Sequence, residues 1–355
     1  GAEPGAAGEL GALALDRADS GSEIREALAH WKMPAVDVIY AEQSGAIGSQ
    51  GAALVPVRRG WDGRLPAAGW TGDSKWEGWR ALDDLPHADE PTAGYLASAN
   101  QNRARIERLR ATLAPATERR VSSVDDSWRL QHDVLAWNAD RLVPLFARLR
   151  AERDDVEQAR QRLLEWNRQI TVDSIDAATY VTWERLVRRM LVEPRLPGEL
   201  VDEFVMWANN MLVPALTEPS RRWFDGDVSK ARDQLILRAL AAAVDLLQAG
   251  GGPAAGGRPG GEIREVIFSH PLGVTEAARR RFNVGPFARP GYADTLLSIS
   301  GRRPDASVGA SFSAVFDAAD WDRSIAQNAP GQSESRASAH FADLAKLWTA
   351  QESFP

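Results

Sequence analysis

No cysteine occurs among the 355 residues, which excludes disulfide frameworks, thiol catalysis and cysteine–metal sites. Histidine is scarce. The five that exist (His30, His87, His132, His270 and His340) never stand four apart on a helical face, and no HExxH sequence occurs. The GxSxG elbow, the SxxK motif and the Walker loop are also missing. No apolar run approaches the ~20 residues that a membrane-spanning helix requires. Lys/Arg blocks are lacking too, and a net charge of −7 with both signs interspersed argues against a nucleic-acid or anionic-membrane partner. The first twenty residues contain no basic segment followed by an apolar core, so no signal peptide is visible, and the chain does not open with methionine.

What is present is an ordinary globular composition, 44 % hydrophobic and 26 % charged, long enough to bury a sizeable core. Residues 21–32 predict a short amphipathic helix with Ser22 as its cap and Ile24, Leu28 and Trp31 on one face. Alternation over 36–41 predicts a strand, followed by a glycine-rich turn, QSGAIGSQG. Residues 54–100 carry many Gly, Pro and Trp and little periodicity, predicting ordered loop and short strand. Trp61, Trp70, Trp76 and Trp79 are expected to staple that loop as core. From 103 to 249 the period becomes helical. A capping-box spacing from Ser123 to Asp126 opens a predicted helix whose apolar stripe runs through Leu130, Val134, Trp137 and Leu145. Further helices fit 154–166, 173–192, 197–212 and 227–248. Residues 249–261, AGGGPAAGGRPGG, read as a flexible loop: a phosphate loop would need a preceding strand and a GK[ST] ending. REVIF, TLLSIS and GASFSAVFDAAD then predict strands, and ASAHFADLAKLWTA a helix.

The expected class is α+β, with strand and loop over 1–102, a helical block over 103–249, and strands with a final helix over 250–355. Adjacent acidic pairs such as Asp83/Asp84 and Asp125/Asp126 suit turns and caps better than a catalytic dyad, because their side chains diverge. Spacing alone locates no active site.

Three longer stretches add more. Within VIYAEQSGAIGSQGAALVPVRRGWDGRLPAAGWTGDSKWEGW, the positions Tyr40-Ala41, Gly45, Ile47-Gly48, Arg64-Leu65-Pro66, Gly69-Trp70-Thr71-Gly72, Trp76 and Gly78 stand out. GYLASANQNR follows from Gly94 to Arg103. The third stretch comprises GYADTLLSIS, GASFSAVFDAADWDRS and APGQSESRASAHFADLAKLW. In order and spacing these resemble the β-chain motifs of the penicillin amidase family of N-terminal nucleophile hydrolases.

The resemblance implies a four-layer αββα fold with an inserted helical block. It also implies an N-acyl amide hydrolase of the penicillin or cephalosporin acylase type, cut autocatalytically from a precursor. Family chemistry proceeds through a serine acyl-enzyme. The nucleophilic serine opens the β chain and its own α-amino group, with a pKa near ~8, serves as base. Residue 1 here is Gly, so the chain is expected to be a partial β subunit without its nucleophile. Carried over by position, Asn100 matches the asparagine whose amide is one oxyanion donor. Arg103 matches the basic residue that helps orient the serine amine, and Gly63 a backbone ligand of a structural calcium ion. The implied partners are an α subunit from the same precursor and a small acylated amine substrate, in the periplasm or outside the cell. An acyl-homoserine lactone acylase is an alternative. So is a non-catalytic homologue acting as a scaffold, since the family's PGQSG and SPHY motifs stand here as PGQSES and SAHF. His340, within the latter, is expected to pack or hydrogen-bond rather than act as a base. Strands near 36–41, 264–268, 294–300 and 308–316 are expected to leave apolar sheet faces uncovered, with the helical block better ordered.

Overall fold

The structure, a computed structural model, describes residues 11–100, 102–118, 123–249, 265–301 and 307–354. The chain divides into two compact units. The first comprises 1–98, 113–121 and 317–321; the second comprises 99–112, 122–316 and 322–355. The loop reading of 249–261 lies outside the described residues, except for Ala249 at the end of a helix.

In the first unit, α1 (Ala12–Leu15) and α2 (Gly21–Leu28) precede β1 (Val36–Ala41) and β2 (Ile47–Ala52). The cap of α2 is Ser20 rather than Ser22: Ser20 has the extended backbone an N-cap requires and its hydroxyl accepts the Glu23 amide, whereas Ser22 already lies inside the helix. β1 and β2 pair antiparallel from Val36↔Ala52 to Ala41↔Ile47, and β5 (His87–Asp89) continues the sheet on the far side of β2. The predicted glycine turn is therefore shorter than the sequence suggests. It closes between Glu42 and Ala46, with Gly45 at φ +95°, and residues 47–52 are strand with Gly48, Gln50 and Ala52 buried. The Tyr40 ring lies over Gly48, where any Cβ would collide with it. Gln50 is buried and spends all its polar atoms: Nε2 donates to the Gly51 and Leu82 carbonyls and Oε1 accepts from Arg25. Arg25 also pairs with Asp83 at 2.7 Å and Asp89 at 3.0 Å, tying α2 to the sheet.

β3 (Pro56–Arg58) and β4 (Trp76–Trp79) form a separate antiparallel ribbon. The expected tryptophan core is not formed. Trp70 is 89 % exposed, Trp76 and Trp79 are exposed, and only Trp61 is half-buried. The rings of this ribbon meet one another, Trp76 and Trp79 at 5.5 Å between centroids, and the Arg58 guanidinium, which stands 5.6 Å from Trp61 and 6.0 Å from Trp76.

The second unit is built on helices. It holds the first ten residues of α3 (Arg103–Glu118), then α4 (Val124–Gln131), α5 (Ala139–Leu142), α6 (Asp154–Glu165), α7 (Ile175–Val192), α8 (Gly198–Trp207), α9 (Asn209–Thr217) and α10 (Val228–Ala249). The capping box at Ser123 and Asp126 forms as predicted. The helix it opens stops at Gln131, because the Asp133 carboxylate takes the Leu135 amide and the Val134 carbonyl is claimed by Ile170. Pro144 then starts a 3₁₀ turn over Val143–Arg148. The helix expected over 197–212 breaks into two at Ala208. Twelve of the eighteen residues of α7 are buried, and α6 and α10 pack against it around Phe146, Leu163, Trp183, Leu212, Ile236 and Leu240.

Beyond the helices come β6 (Glu265–Phe268), α11 (Glu276–Phe282), β7 (Val284–Ala288), β8 (Ile299–Gly301), β9 (Ser307–Gly309), β10 (Ser313–Val315), β11 (Ile325–Gln327) and α12 (Leu344–Ala350). They pair as three antiparallel ribbons, β6–β7, β8–β9 and β10–β11. Of the predicted TLLSIS strand only the last residues are extended. Residues 294–297 form a turn in which the Thr295 hydroxyl bonds the Tyr292 amide. Val266, Ile299, Ala329 and Trp348 form a small second core. The α+β class holds: helix dominates and strands flank it.

Candidate active site

Asn100 lies in the turn leading into α3 with φ +47°, a left-handed conformation that asparagine tolerates better than most residues. It is exposed, and no described residue hydrogen-bonds its side chain. Its neighbours fix the turn from behind. The Asn102 amide donates to the Ala99 carbonyl at 2.9 Å, and Asn102 Oδ1 accepts the Arg105 amide at 3.0 Å, capping α3. Asn102 Nδ2 donates to Asp294 Oδ1 at 2.9 Å, while Asn138 Nδ2 donates to the other oxygen of Asp294 at 3.1 Å. Asp294 is 3 % exposed, so its carboxylate is a buried peg joining α3, the residues before α5 and the 291–297 turn. Arg105 Nη2 reaches back to the Ala99 carbonyl at 3.3 Å, and burial lowers its pKa against the opposing charge of Asp294.

The Arg103 side chain bonds none of these groups. Its side chain is 61 % exposed and pairs with Glu107 at 2.9 Å within the same helix. Burial would raise the Glu107 pKa, but hydrogen bonds from Arg103 and Trp137 outweigh it and hold the carboxyl below its ordinary value. Arg103, Glu107, Asn138, Arg141 and Asn210 surround a cleft of about 20 Å³, room for about one water. The arginine whose side chain bonds the Asn100 turn, through the Ala99 carbonyl, is Arg105, which the sequence reading did not single out.

Beneath this lies a buried charged group also invisible to sequence reading. Glu184 on α7 is fully buried and 3.3 Å from Arg188, whose guanidinium also contacts the Tyr292 hydroxyl. Burial pushes the Glu184 carboxyl up to about 7, with Arg188 opposing. Burial likewise raises Tyr180 and Tyr292. A carboxyl with no exposure cannot meet a substrate, so Glu184 belongs to the packing of the helical core.

Gly63 belongs to the first unit. It has φ +81°, is exposed, and the Arg58 guanidinium packs over its α-carbon. Asp62 beside it accepts the Arg64 amide and lies 3.4 Å from that guanidinium. Calcium takes six to eight oxygens. One carbonyl and one carboxylate flanked by two arginines do not fit it, and no group of three or more His, Cys, Asp or Glu able to hold a metal occurs among the described residues. His340 is 73 % exposed and bonds Asp343 at 2.8 Å, so it hydrogen-bonds without packing.

The penicillin amidase family model matches residues 1–355. The chain is 27 % identical over 373 residues to penicillin acylase 2 proenzyme of Pseudomonas sp. strain SE83, covering 92 % of this chain and 45 % of that protein. It is 24 % identical over 266 residues to the acyl-homoserine lactone acylase QuiP of Pseudomonas fluorescens strain Pf-5, covering 65 % of this chain and 33 % of that protein. It therefore spans less than half the length of the curated relatives it matches. Among solved structures, a thermostable penicillin G acylase from Alcaligenes faecalis has the same fold. Its TM-score is 0.65 at 19 % identity, over 97 % of this chain and 68 % of that one. With a family match along its whole length and that fold beneath it, the chain belongs to the penicillin amidase family.

Proposed function

We propose that this chain supplies the asparagine oxyanion donor of an N-acyl amide hydrolase. The observation that carries the reading is Asn100: an exposed, unengaged amide, held in a left-handed turn whose neighbours are pegged to the buried Asp294. The backbone that carries this amide is anchored, and a donor already in place is what a developing oxyanion requires, because little reorganisation is needed when the charge appears. In this reading a serine, activated by its own α-amino group, attacks the acyl carbonyl from a segment outside these 355 residues. Asn100 Nδ2 donates to the resulting oxyanion, the amine departs, and water releases the acid. The partners are an α subunit of the same precursor and an acylated amine, and the location is the periplasm or outside the cell. The substrate is a β-lactam or homoserine lactone amide, the two classes named among the relatives. Arg103 enters only as a surface cation near the turn. Calcium at Gly63 would require ligands from elsewhere, and no step depends on it.

The test uses the complete enzyme assembled with its nucleophile-bearing segment. Asn100→Ala and Asn100→Gly should both lower kcat for a chromogenic acyl-anilide by about 10²–10³-fold with unchanged folding, the usual cost of one oxyanion donor. The glycine variant relieves the positive φ, so a shared loss is chemical rather than conformational. Near-native turnover in either variant would overturn the assignment.

A further inference from the structure

A cavity of about 540 Å³ opens beside the second core of the helical unit and shares no residue with the Asn100 turn. Its floor is buried: Val266 on β6, Ile299 on β8 and Trp348 on α12. Its sides are aromatic, with Phe268, Phe282 and Phe341 around Trp348, and the Phe268 ring meets the Trp348 indole edge-on at 5.0 Å. That size and lining match small-ligand sites, which are concave, largely apolar and carry a few placed polar groups.

The polar groups define what fits. Ser269, His270, Ser311 and Ser333 line the cavity, with the His270 ring stacked on Phe282 at 5.1 Å and its Nδ1 accepting the Leu272 amide. Ser333 Oγ accepts the Ser335 amide, leaving its proton to donate. The one carboxylate lining the cavity, Glu334, is exposed, and Arg336, two residues on, lies 5.5 Å from the Phe341 ring. Arg281, outside the lining, lies 5.4 Å from the ring of Phe282. The carboxylate and guanidinium charges therefore stay at the rim, and the interior offers aromatic rings, hydroxyls and the His270 imidazole. An ion entering would lose hydration with no opposite charge to replace it.

We propose that this cavity is a binding site for an uncharged aromatic ligand with a hydroxyl-like hydrogen-bonding head. The ring stands among Phe268, Phe282 and Trp348, where edge-to-face contact adds to area burial. The head meets Ser311 and Ser333.

Four probes of nearly one shape test it on the 1–355 chain by titration in ligand-observed and protein NMR: benzyl alcohol, benzylammonium, benzoate and cyclohexylmethanol. Benzyl alcohol should bind saturably with an affinity of about millimolar, reasonable for eight heavy atoms. Both ions should bind at least tenfold more weakly, and cyclohexylmethanol about threefold more weakly. Ser311→Trp, a change at an exposed position that fills the mouth, should abolish binding while circular dichroism stays unchanged. Absence of saturable binding, survival of binding in Ser311→Trp, or an ion that equals the alcohol would each overturn the proposal. If Ser311→Trp disturbs the fold, Ser333→Ala serves instead, with at least a threefold loss expected and no loss counting against the site.

Discussion

Glu184 shows how a single side chain ties stability to pH. Burial holds its carboxyl at about 7 in the folded chain, against an ordinary value of 4.5. The folded state therefore binds the proton more tightly than the unfolded state. The stability this contributes is present below about pH 4.5 and is lost as pH rises through 7, by up to about 3 kcal/mol. Glu184→Gln keeps the shape and removes the titration. Unfolding curves measured from pH 5 to 8 should fall more steeply for the native chain than for this variant; parallel curves would show that Glu184 ionises freely in the fold.

At the scale of elements, α7 depends on its first turn. Ser174 accepts the Ala177 amide at 3.1 Å, and Ser174→Ala should cost about 1 kcal/mol, read as a lowered urea midpoint at unchanged slope. Equal midpoints would mean that packing alone sets where the helix begins. This helix, α6 and α10 were legible in the sequence because their apolar positions recur at helical spacing. The break after Gln131 was not. Leu130, Val134 and Trp137 keep the helical period, while the cause of the break, the Asp133 side chain taking a backbone amide, leaves no periodic trace. The same limit applies at the candidate site. Asn100 was reachable through its motif, but Arg105 is one of many arginines on α3 until its contact with Ala99 is seen. Asp294 bonds Asn102 from 192 positions away, a pairing that no local pattern encodes. The tryptophans misled for a related reason: composition reports an aromatic's tendency to bury but not whether an element stands behind it.

For the whole molecule, the strand-bearing segments expose apolar surface. Leu65, Trp70, Trp76 and Trp79 in the first unit, and Phe312 and Phe316 in the second, are exposed large side chains. Among the described residues, strand pairing stops at two or three strands, which leaves edges open. Contiguous apolar surface beside open edges promotes association. Sedimentation of the 1–355 chain should therefore reveal concentration-dependent self-association, reduced by Trp76→Ser combined with Trp79→Ser. A monodisperse monomer at high concentration would contradict this.

The burial of α7 also sets a clock. Amide protons exchange with solvent only when their hydrogen bonds open, and opening free energies run from near zero at frayed edges to the global value in a core. The ribbon of β3 and β4, exposed along all four residues of β4, should exchange its amides early. Those from Tyr180 to Val187 on α7, enclosed by α6 and α10, can open only with the helical core. Deuterium labelling followed by mass spectrometry should find the α7 peptide among the last to gain mass. Its labelling rate, set against the exchange rate of an open amide, would then give the free energy of opening the folded core.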